Sequence, residues 1–588
     1  MIILVYSQAV GFGFIDFDDL SLVNLSRQQL HEHTPLIRIL TGDVFGDKTG
    51  IFYFRPVLSL SLLADTAIGG GAPWLYHLSN ILLHILACCL LMWLLTQAGH
   101  AKEPAFLGAL VIGVHPALVQ AVAWVPGRND VLLASFLLFS AIGLIRYFKG
   151  GSGRWLLASS ASFLLALFTK ETAVIFLLIL PLWALMRMTN SSRRQAVNAG
   201  AALAGLAALW FIVRRISAAG RPGGDVPVMD GLRYAGKGFL SYTGKILLPF
   251  NLSLAPDYLD VNVLPGFIAV ALLAWAFWKL RPARPQGMIL GLLCYVLFLL
   301  PALPNRTFLE HRLYLPLMGL VLALLETGVL SGFSLKNKAW VVPAGLLVML
   351  LIFVNVIHAS GFRTRETAWA RAAKATPNSW LANMSMGLVS ARRGDPVLAE
   401  RYYLKARQAN PGDPKLLTNL GLLYLNNHRP EMARDVFSGL LAVHPDHPGA
   451  NYNLGQALDR LKEYDRAADC YRRETVIAPS NIDAKVALGA SLAEAGRYAE
   501  ARRSFQEILK LDQNNFEALL NLGVIEFRAG NTVRARNWLE RAVRAAPERA
   551  EGHLNLGHVY RAEKRLTEAQ REFGTAAKIN PAYKNIKL

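Results

Sequence analysis

Cysteine is scarce in this chain: four in 588 residues, Cys88, Cys89, Cys294 and Cys470. Three fall in long apolar runs and one stands alone in a charged, repetitive region, so neither a disulfide framework nor a zinc site is indicated. Acidic residues are outnumbered, 41 Asp and Glu against 61 Lys and Arg, leaving a net charge of +20. Such an excess can mark a nucleic-acid binder. Here much of it sits in short loops between apolar stretches, as in cytoplasmic loops of membrane proteins, so no nucleic-acid partner is expected. Met1–Phe14 lacks a basic leader and a small-residue cleavage site, which excludes a cleaved signal peptide. It reads as the end of a first transmembrane helix, with residues lost to a misassigned start. The apolar part has no internal duplication, which argues against a transporter built from related halves.

What the chain has in quantity is apolar surface: 53% hydrophobic residues and a mean hydropathy of +0.32. The excess is confined to residues 1 to about 360, in runs such as Ile81–Leu95, Val131–Leu144, Phe267–Trp278, Met288–Leu300 and Trp340–Val356. Each is, or extends to, roughly the 20 residues that cross a bilayer. The pattern predicts about eleven spans, at 1–15, 76–97, 105–125, 130–147, 155–169, 173–188, 198–214, 264–280, 287–303, 313–330 and 339–358. Loops carrying Lys102, Arg146 with Lys149 and Arg154, Arg187 with Arg193 and Arg194, Arg281 with Arg284, and Lys336 with Lys338 then share one side. That side is cytoplasmic, provided 236–252 re-enters or lies at the interface without crossing. The opposite face collects the loop 16–75 with Asp16, Asp18 and Asp19, the turn Pro126–Asp130, Lys170–Glu171, Arg214–Arg221 and Arg306–Arg312. Charges kept on the outer face against the topological rule point to function.

The last third is periodic. Gly387, Gly421, Gly455, Gly489, Gly523 and Gly557 stand 34 residues apart, each followed twelve residues later by an alanine, Ala399 through Ala569. Prolines recur at the same period (Pro377, Pro411, Pro445, Pro479, Pro547, Pro581), with Gln513 in the missing slot. A 34-residue helix–turn–helix unit of this pattern is a tetratricopeptide repeat. The domains expected are a membrane domain over 1–360, a linker with a partial helical unit over 361–378, and six repeats over 379–588. Two residues before the glycine, Asn419, Asn453, Asn521 and Asn555 recur on the helix that lines the concave face. An asparagine row can pair with an extended peptide backbone whatever its sequence; duplicated polar surface is the plain alternative. The row resembles the asparagine ladder of O-linked N-acetylglucosamine transferase, and it favours a protein acceptor.

Short motifs run in order through the membrane part: FIDFDDLSLVNL, YFRPVLSL, PWLYHLSNILLH, GVHPALVQAVAWVPGRNDVLLASF, FTKETAVIFLLILP, LLPFNLSLAPDY and LEHRLYLPLMGL. With the repeats that follow, the chain resembles the transmembrane and tetratricopeptide repeat-containing O-mannosyltransferase-like family of the GT-C glycosyltransferase superfamily. The resemblance implies an all-α fold, a polytopic membrane bundle followed by an α-solenoid. It also implies transfer of a sugar from a polyprenyl-phosphate carrier to an acceptor outside the cytoplasm. The short, plain chain, and not the resemblance, suggests a bacterial inner membrane with an undecaprenyl carrier.

By the same resemblance, Asp18 and Asp19 match the acidic pair of the first outer loop, where the superfamily keeps its catalytic carboxylate. The chemistry fits, because a carboxylate within reach of the acceptor hydroxyl can take its proton. Arg or Lys would stabilise the departing phosphate, with Arg55, Arg128, Lys170, Arg214, Arg215 and Arg312 as candidates near the outer face. His311 beside Arg312 would hold the phosphate or anchor the helix at headgroup level. Lys170–Glu171 reads equally as a self-neutralising turn. His77, Asn80 and His84 share a helix face, a row that reads as interhelical hydrogen bonding. No metal or other cofactor is required, although the acidic loop would accept a divalent cation. Membrane lipid surrounds the spans. The competing reading is a non-enzymatic, membrane-anchored repeat scaffold, which has no need of the acidic pair.

Overall fold

The computed structural model describes residues 1–15, 18–45, 52–179, 182, 193–219, 228–250, 252–280, 282 and 284–584; Asp16, Arg187, Arg221, Arg281 and the second half of the expected span 173–188 lie outside them. Among the described residues there is no strand, only an isolated antiparallel bridge between Asp257 and Thr307. The helices form two compact units, Met1–Val389 and Ser390–Leu588.

In the first unit, five helices among the described residues are long and apolar enough to cross a membrane: Pro73–Gln97, Val125–Gly150, Arg193–Ser217, Pro285–Ala302 and Lys338–Phe362. A sixth candidate, Lys102–Val114 with Pro116–Ala123, is bent by 55°. The bend sits at His115–Pro116, where proline removes a backbone donor. His115 takes over the capping: Nδ1 accepts from the Ala117 N–H at 3.2 Å, and Nε2 donates to the Ile246 carbonyl at 2.9 Å. The expected spans 1–15, 155–169, 264–280 and 313–330 instead contain Ile2–Gly11, Gly153–Thr169, Leu264–Lys279 and Tyr314–Glu326. These are short of a straight crossing. An apolar run states how much surface must be hidden, whereas turn residues decide where a helix stops. Gly328, at φ +76°, ends the last of these two residues beyond Glu326.

Close packing rests on small residues, as expected where lipid gives no hydrophobic drive between helices. A Cβ on Gly291 would stand 2.5 Å from the Ala323 nitrogen, and one on Gly319 2.7 Å from the Tyr295 nitrogen. Ser140 and Ser159 join their helices at 2.9 Å.

The loops gather at two ends. At one, Lys149 Nζ donates to the Gln97 carbonyl at 2.7 Å, Arg284 to those of Ala98 and Gly99 at 3.2 Å, and the Leu335 N–H to Glu103 at 3.3 Å. The basic loops of the sequence therefore meet. At the other end the Gly13 N–H donates to the Arg363 carbonyl at 3.1 Å, and Trp369 Nε1 to the Ile15 carbonyl at 2.9 Å.

That second end revises the expected linker. Arg365–Ala375 is a helix opened by a Thr364–Thr367 capping box and buries Ala368, Trp369 and Ala372 in the membrane unit. Asn378 is held to Asp260 by its backbone N–H and its side-chain amide, at 3.0 and 2.8 Å. The change of composition near 360 is thus not the edge of the compact unit, which runs to Val389.

The second unit continues the helix pairs that begin with Trp380–Arg392 and Pro396–Ala409 and end with Ala550–Ala562 and Leu566–Ile579. Asp395, Asp413, Asn481 and Asn515 cap helices by accepting the N–H three residues on, satisfying donors that the helix leaves open. All six repeat alanines are fully buried. A Cβ on Gly489 would come 2.7 Å from the Phe505 ring, and one on Gly455 2.6 Å from Tyr471. Glycine at these places is a matter of room for the facing ring.

Candidate functional site

At the end of the bundle that holds residue 15, five segments bring charged side chains together. Asp18 is the residue before the helix Asp19–His31, half-buried, with extended-to-bridging backbone. Asp19 is turned the other way: it is 1% exposed, and its Oδ2 accepts from the Ile15 N–H at 2.8 Å. The pair is therefore split, one carboxylate bracing the turn and its neighbour at the rim.

Tyr53 is a shared neighbour of Asp18, Arg55 and Arg312. Burial raises its hydroxyl above the usual range, and the charges of Arg55, Glu171, Asp18 and Arg312 all act on it. Its backbone is fixed by Asp43, which accepts the Tyr53 N–H at 3.0 Å. The Arg55 guanidinium lies over the Tyr53 ring, 4.9 Å from its centre, and meets Glu171 at 2.9 Å. With its amide donating to the Thr169 carbonyl at 2.8 Å, Asn129 accepts from Arg55 Nη1 at 2.9 Å. Burial alone would raise the Glu171 carboxyl, but the Arg55 charge and hydrogen bond outweigh it and hold it down at about 2.

Lys170 is bound by both oxygens of Asp130, at 2.7 and 2.9 Å. Burial lowers the Lys170 ammonium, and Asp130 opposes that shift. His311 approaches the same carboxylate, Nε2 at 3.8 Å from Oδ2. Gln120 Oε1 accepts from both the His311 backbone N–H, at 3.1 Å, and Nδ1, at 3.2 Å, while its amide donates to the Leu254 carbonyl at 3.0 Å. This fixes the imidazole with its proton on Nδ1 and Nε2 toward Asp130. Burial, followed by the positive charges of Lys170, Arg312 and Arg55, keeps His311 neutral, well below its usual range. Arg312 donates to the Thr307 carbonyl at 3.4 Å, and among the described residues no carboxylate forms an ion pair with it.

The structure thus brings together Asp18, Arg55, Lys170, His311 and Arg312. Three expected phosphate ligands stand elsewhere. Arg128 is 1% exposed and its donors are taken up inside: Asp65 at 2.5 Å, Asn80 at 2.6 Å, and the Tyr76 and Ser61 carbonyls. It is a strut between helices. Arg214 and Arg215 lie over Trp210 and Phe211 on their own helix, each 5.5 Å from the ring. Asn80 also donates to the carbonyls of Val122, Trp124 and Val125, and His84 meets Tyr314 at 2.6 Å and the Gly113 carbonyl at 3.1 Å. The row on that helix therefore makes contacts across helices. Among the described residues no group of three or more His, Cys, Asp or Glu could hold a metal ion.

Asp130, Gln120, Asn129 and Tyr53 were not picked out from sequence. Gln120, a lone amide in an apolar stretch, was the available signal. In the repeats, Asn521 and Asn555 donate to the carbonyl four residues back, Glu517 and Glu551, at 2.8 and 2.9 Å. Asn419 and Asn453, both half-buried, make no such bond among the described residues.

Residues 366–414, 418–482, 486–550 and 534–584 match the model of the tetratricopeptide repeat family. The chain is 31% identical over 195 residues to Protein O-mannosyl-transferase Tmtc2 of Drosophila melanogaster, covering 31% of this chain and 21% of that protein. It is 31% identical over 172 residues to human Protein O-mannosyl-transferase TMTC2, covering 28% of this chain and 20% of that protein. The chain thus spans about a fifth of the length of these curated relatives. Among solved structures, that of Pseudomonas aeruginosa PilF is similar at 18% identity and a TM-score of 0.29, over 34% of this chain and 92% of that one. Proteins bearing that family's name are thus among those the chain is similar to.

Proposed function

We propose that the chain is an integral-membrane glycosyltransferase of GT-C type. It moves a sugar from a polyprenyl-phosphate donor to a Ser or Thr hydroxyl of a protein on the extracytoplasmic face of a bacterial inner membrane. The repeats, periplasmic in this reading, hold the acceptor. The observation that carries it is the convergence of Asp18, Arg55 and Arg312 on Tyr53, and of Lys170, Arg55 and Arg312 on His311. Relatives named O-mannosyl-transferases support sugar transfer, with mannose as the sugar.

The acceptor oxygen attacks the anomeric carbon, its proton passing to the Asp18 carboxylate. The bond from that carbon to the phosphate oxygen breaks, and its electron pair leaves with the phosphate. Arg55 and Lys170 are each balanced by a carboxylate, Glu171 and Asp130. Among the described residues no carboxylate pairs with Arg312, so it supplies the net positive charge that a departing phosphate needs. His311, neutral, offers shape and a dipole without repelling the cations. Asp18 is better placed than Asp19, which serves the Ile15 turn. No cofactor enters this scheme.

The test uses the full chain in lipid nanodiscs with polyprenyl-phosphate sugars and secreted proteins as acceptors. Wild type should release polyprenyl phosphate, and Asp18→Asn should release almost none while keeping its thermal stability. Equal release by the two proteins removes the proposed base and, with it, this mechanism.

A further inference from the structure

The second observation lies at the same end of the membrane unit. Between the last turn of the span Lys338–Phe362, the helix Arg365–Ala375 and residues 249, 250 and 252–254 is a crevice of ≈ 600 Å³, within the size range of small-molecule sites. Its floor is apolar: Phe250 is 68% exposed and Ile357 49%, with Val354 beside them. Among the described residues its ionisable lining is His358, Arg371 and Lys374, none of them acidic. Arg371 is held in place by donating to the Ile357 carbonyl at 2.7 Å. His358 is answered from beneath, its Nε2 3.1 Å from Glu310, whose other oxygen takes Lys245 at 2.9 Å and the Ser253 N–H at 2.8 Å. Arg371 and Lys374 form no ion pair among the described residues, and both are exposed.

We propose that this crevice binds an anionic membrane phospholipid, with an acyl chain along Phe250, Val354 and Ile357 and the phosphate between Arg371 and Lys374. Two facts select a lipid over a free anion. The apolar floor continues into Leu346, Leu350 and Phe353, the exposed face of the same span, which lies against acyl chains. The cations begin where that face ends, at headgroup depth, where basic side chains at a span's end attract anionic headgroups. The bound lipid would tie the span to the helix Arg365–Ala375. That helix carries Trp369, which bonds the carbonyl of Ile15. The site is independent of sugar transfer.

The full chain, purified in a neutral detergent, is titrated with phosphatidylglycerol, phosphatidylcholine or inorganic phosphate while thermal unfolding is followed. Phosphatidylglycerol should raise Tm by about 2–4 °C near saturation, whereas the other two should not. Lys374→Gln, at an exposed position, should lose most of the shift. Arg371→Lys/Lys374→Arg should keep it, as should Lys336→Gln/Lys338→Gln at the opposite end. Native mass spectrometry should count fewer retained phosphatidylglycerols on Lys374→Gln. An equal shift with phosphatidylcholine, a shift with inorganic phosphate alone, or an undiminished shift in Lys374→Gln overturns the proposal.

Discussion

Lys170 is gripped by both carboxylate oxygens of Asp130, at 2.7 and 2.9 Å, with only 12% and 10% of the two side chains exposed. Cutting one partner from such a pair leaves an uncompensated charge, at a cost of about 3–5 kcal/mol. Asp130→Asn should therefore lower the unfolding temperature in nanodiscs. Adding Lys170→Met should restore most of the stability and none of the transfer activity. If the double variant is no more stable than the single, the pair is not what Asp130 serves.

His311 gives a pH dependence with a definite sign. Burial and three nearby cations keep its folded pKa well below the ordinary 6.5. As pH falls below about 6.5 the unfolded chain takes the proton first, so stability drops, by up to about 1.4 kcal/mol per pH unit for one such group. Glu171 acts lower down: its folded value is about 2 against an ordinary 4.5, so its contribution is full above 4.5 and is lost as pH falls toward 2. The difference in unfolding free energy between wild type and His311→Gln, measured from pH 7 to 5, should change steadily below 6.5. A pH-independent difference would mean that folding leaves the proton affinity of His311 unchanged.

Arg312 lacks a carboxylate partner among the described residues, which makes it the sensitive cation of the site. Arg312→Gln should lower donor turnover about 100-fold or more, the usual effect of removing one donor to developing negative charge. Arg312→Lys should fall between. Arg214→Gln/Arg215→Gln, altering residues stacked on Trp210 and Phe211, should leave turnover near wild type. Single-turnover release of polyprenyl phosphate reads all three.

In the repeats, Gly489→Ala drives a Cβ to within 2.7 Å of the Phe505 ring. Overpacking of this kind costs about 1–3 kcal/mol, more than the helix gains from alanine. Hydrogen exchange of Ile482–Glu494 and Tyr498–Leu511 should quicken locally, and Gly489→Ala/Phe505→Leu should slow it again.

Asn419 and Asn453 have amides not spent on their own helix, unlike Asn521 and Asn555. Asn419→Ala/Asn453→Ala should raise KM for a protein acceptor several-fold, with kcat and the turnover of a short serine peptide unchanged. Asn521→Ala/Asn555→Ala should do less.

The repeats were legible because a period of 34 is written in the chain: one glycine for a facing ring, one alanine at the contact, one proline past the end. The gathering of basic loops at one end and of Asp18, Arg55, Lys170 and Arg312 at the other was also legible, since each charge interrupts apolar sequence. Side-chain direction was not. Arg128 carries the same signal as Arg312, yet its partner Asp65 is 63 residues away, a distance that no local pattern encodes. The split between Asp18 and Asp19 depends on which of two adjacent carboxylates reaches the Ile15 N–H, a matter of a few backbone dihedrals. Span lengths failed for a related reason, because hydropathy is blind to where turn residues halt a helix.

The bond from Trp369 to Ile15 crosses 354 positions of sequence. It fastens the acidic loop's entry to a segment past the final membrane helix. A membrane unit excised at the hydropathy edge, near residue 360, would lose this latch and leave Ile15 and its neighbours uncovered. The shortest version that retains the entry to the loop must extend through Val389, most of a repeat farther than composition alone would advise.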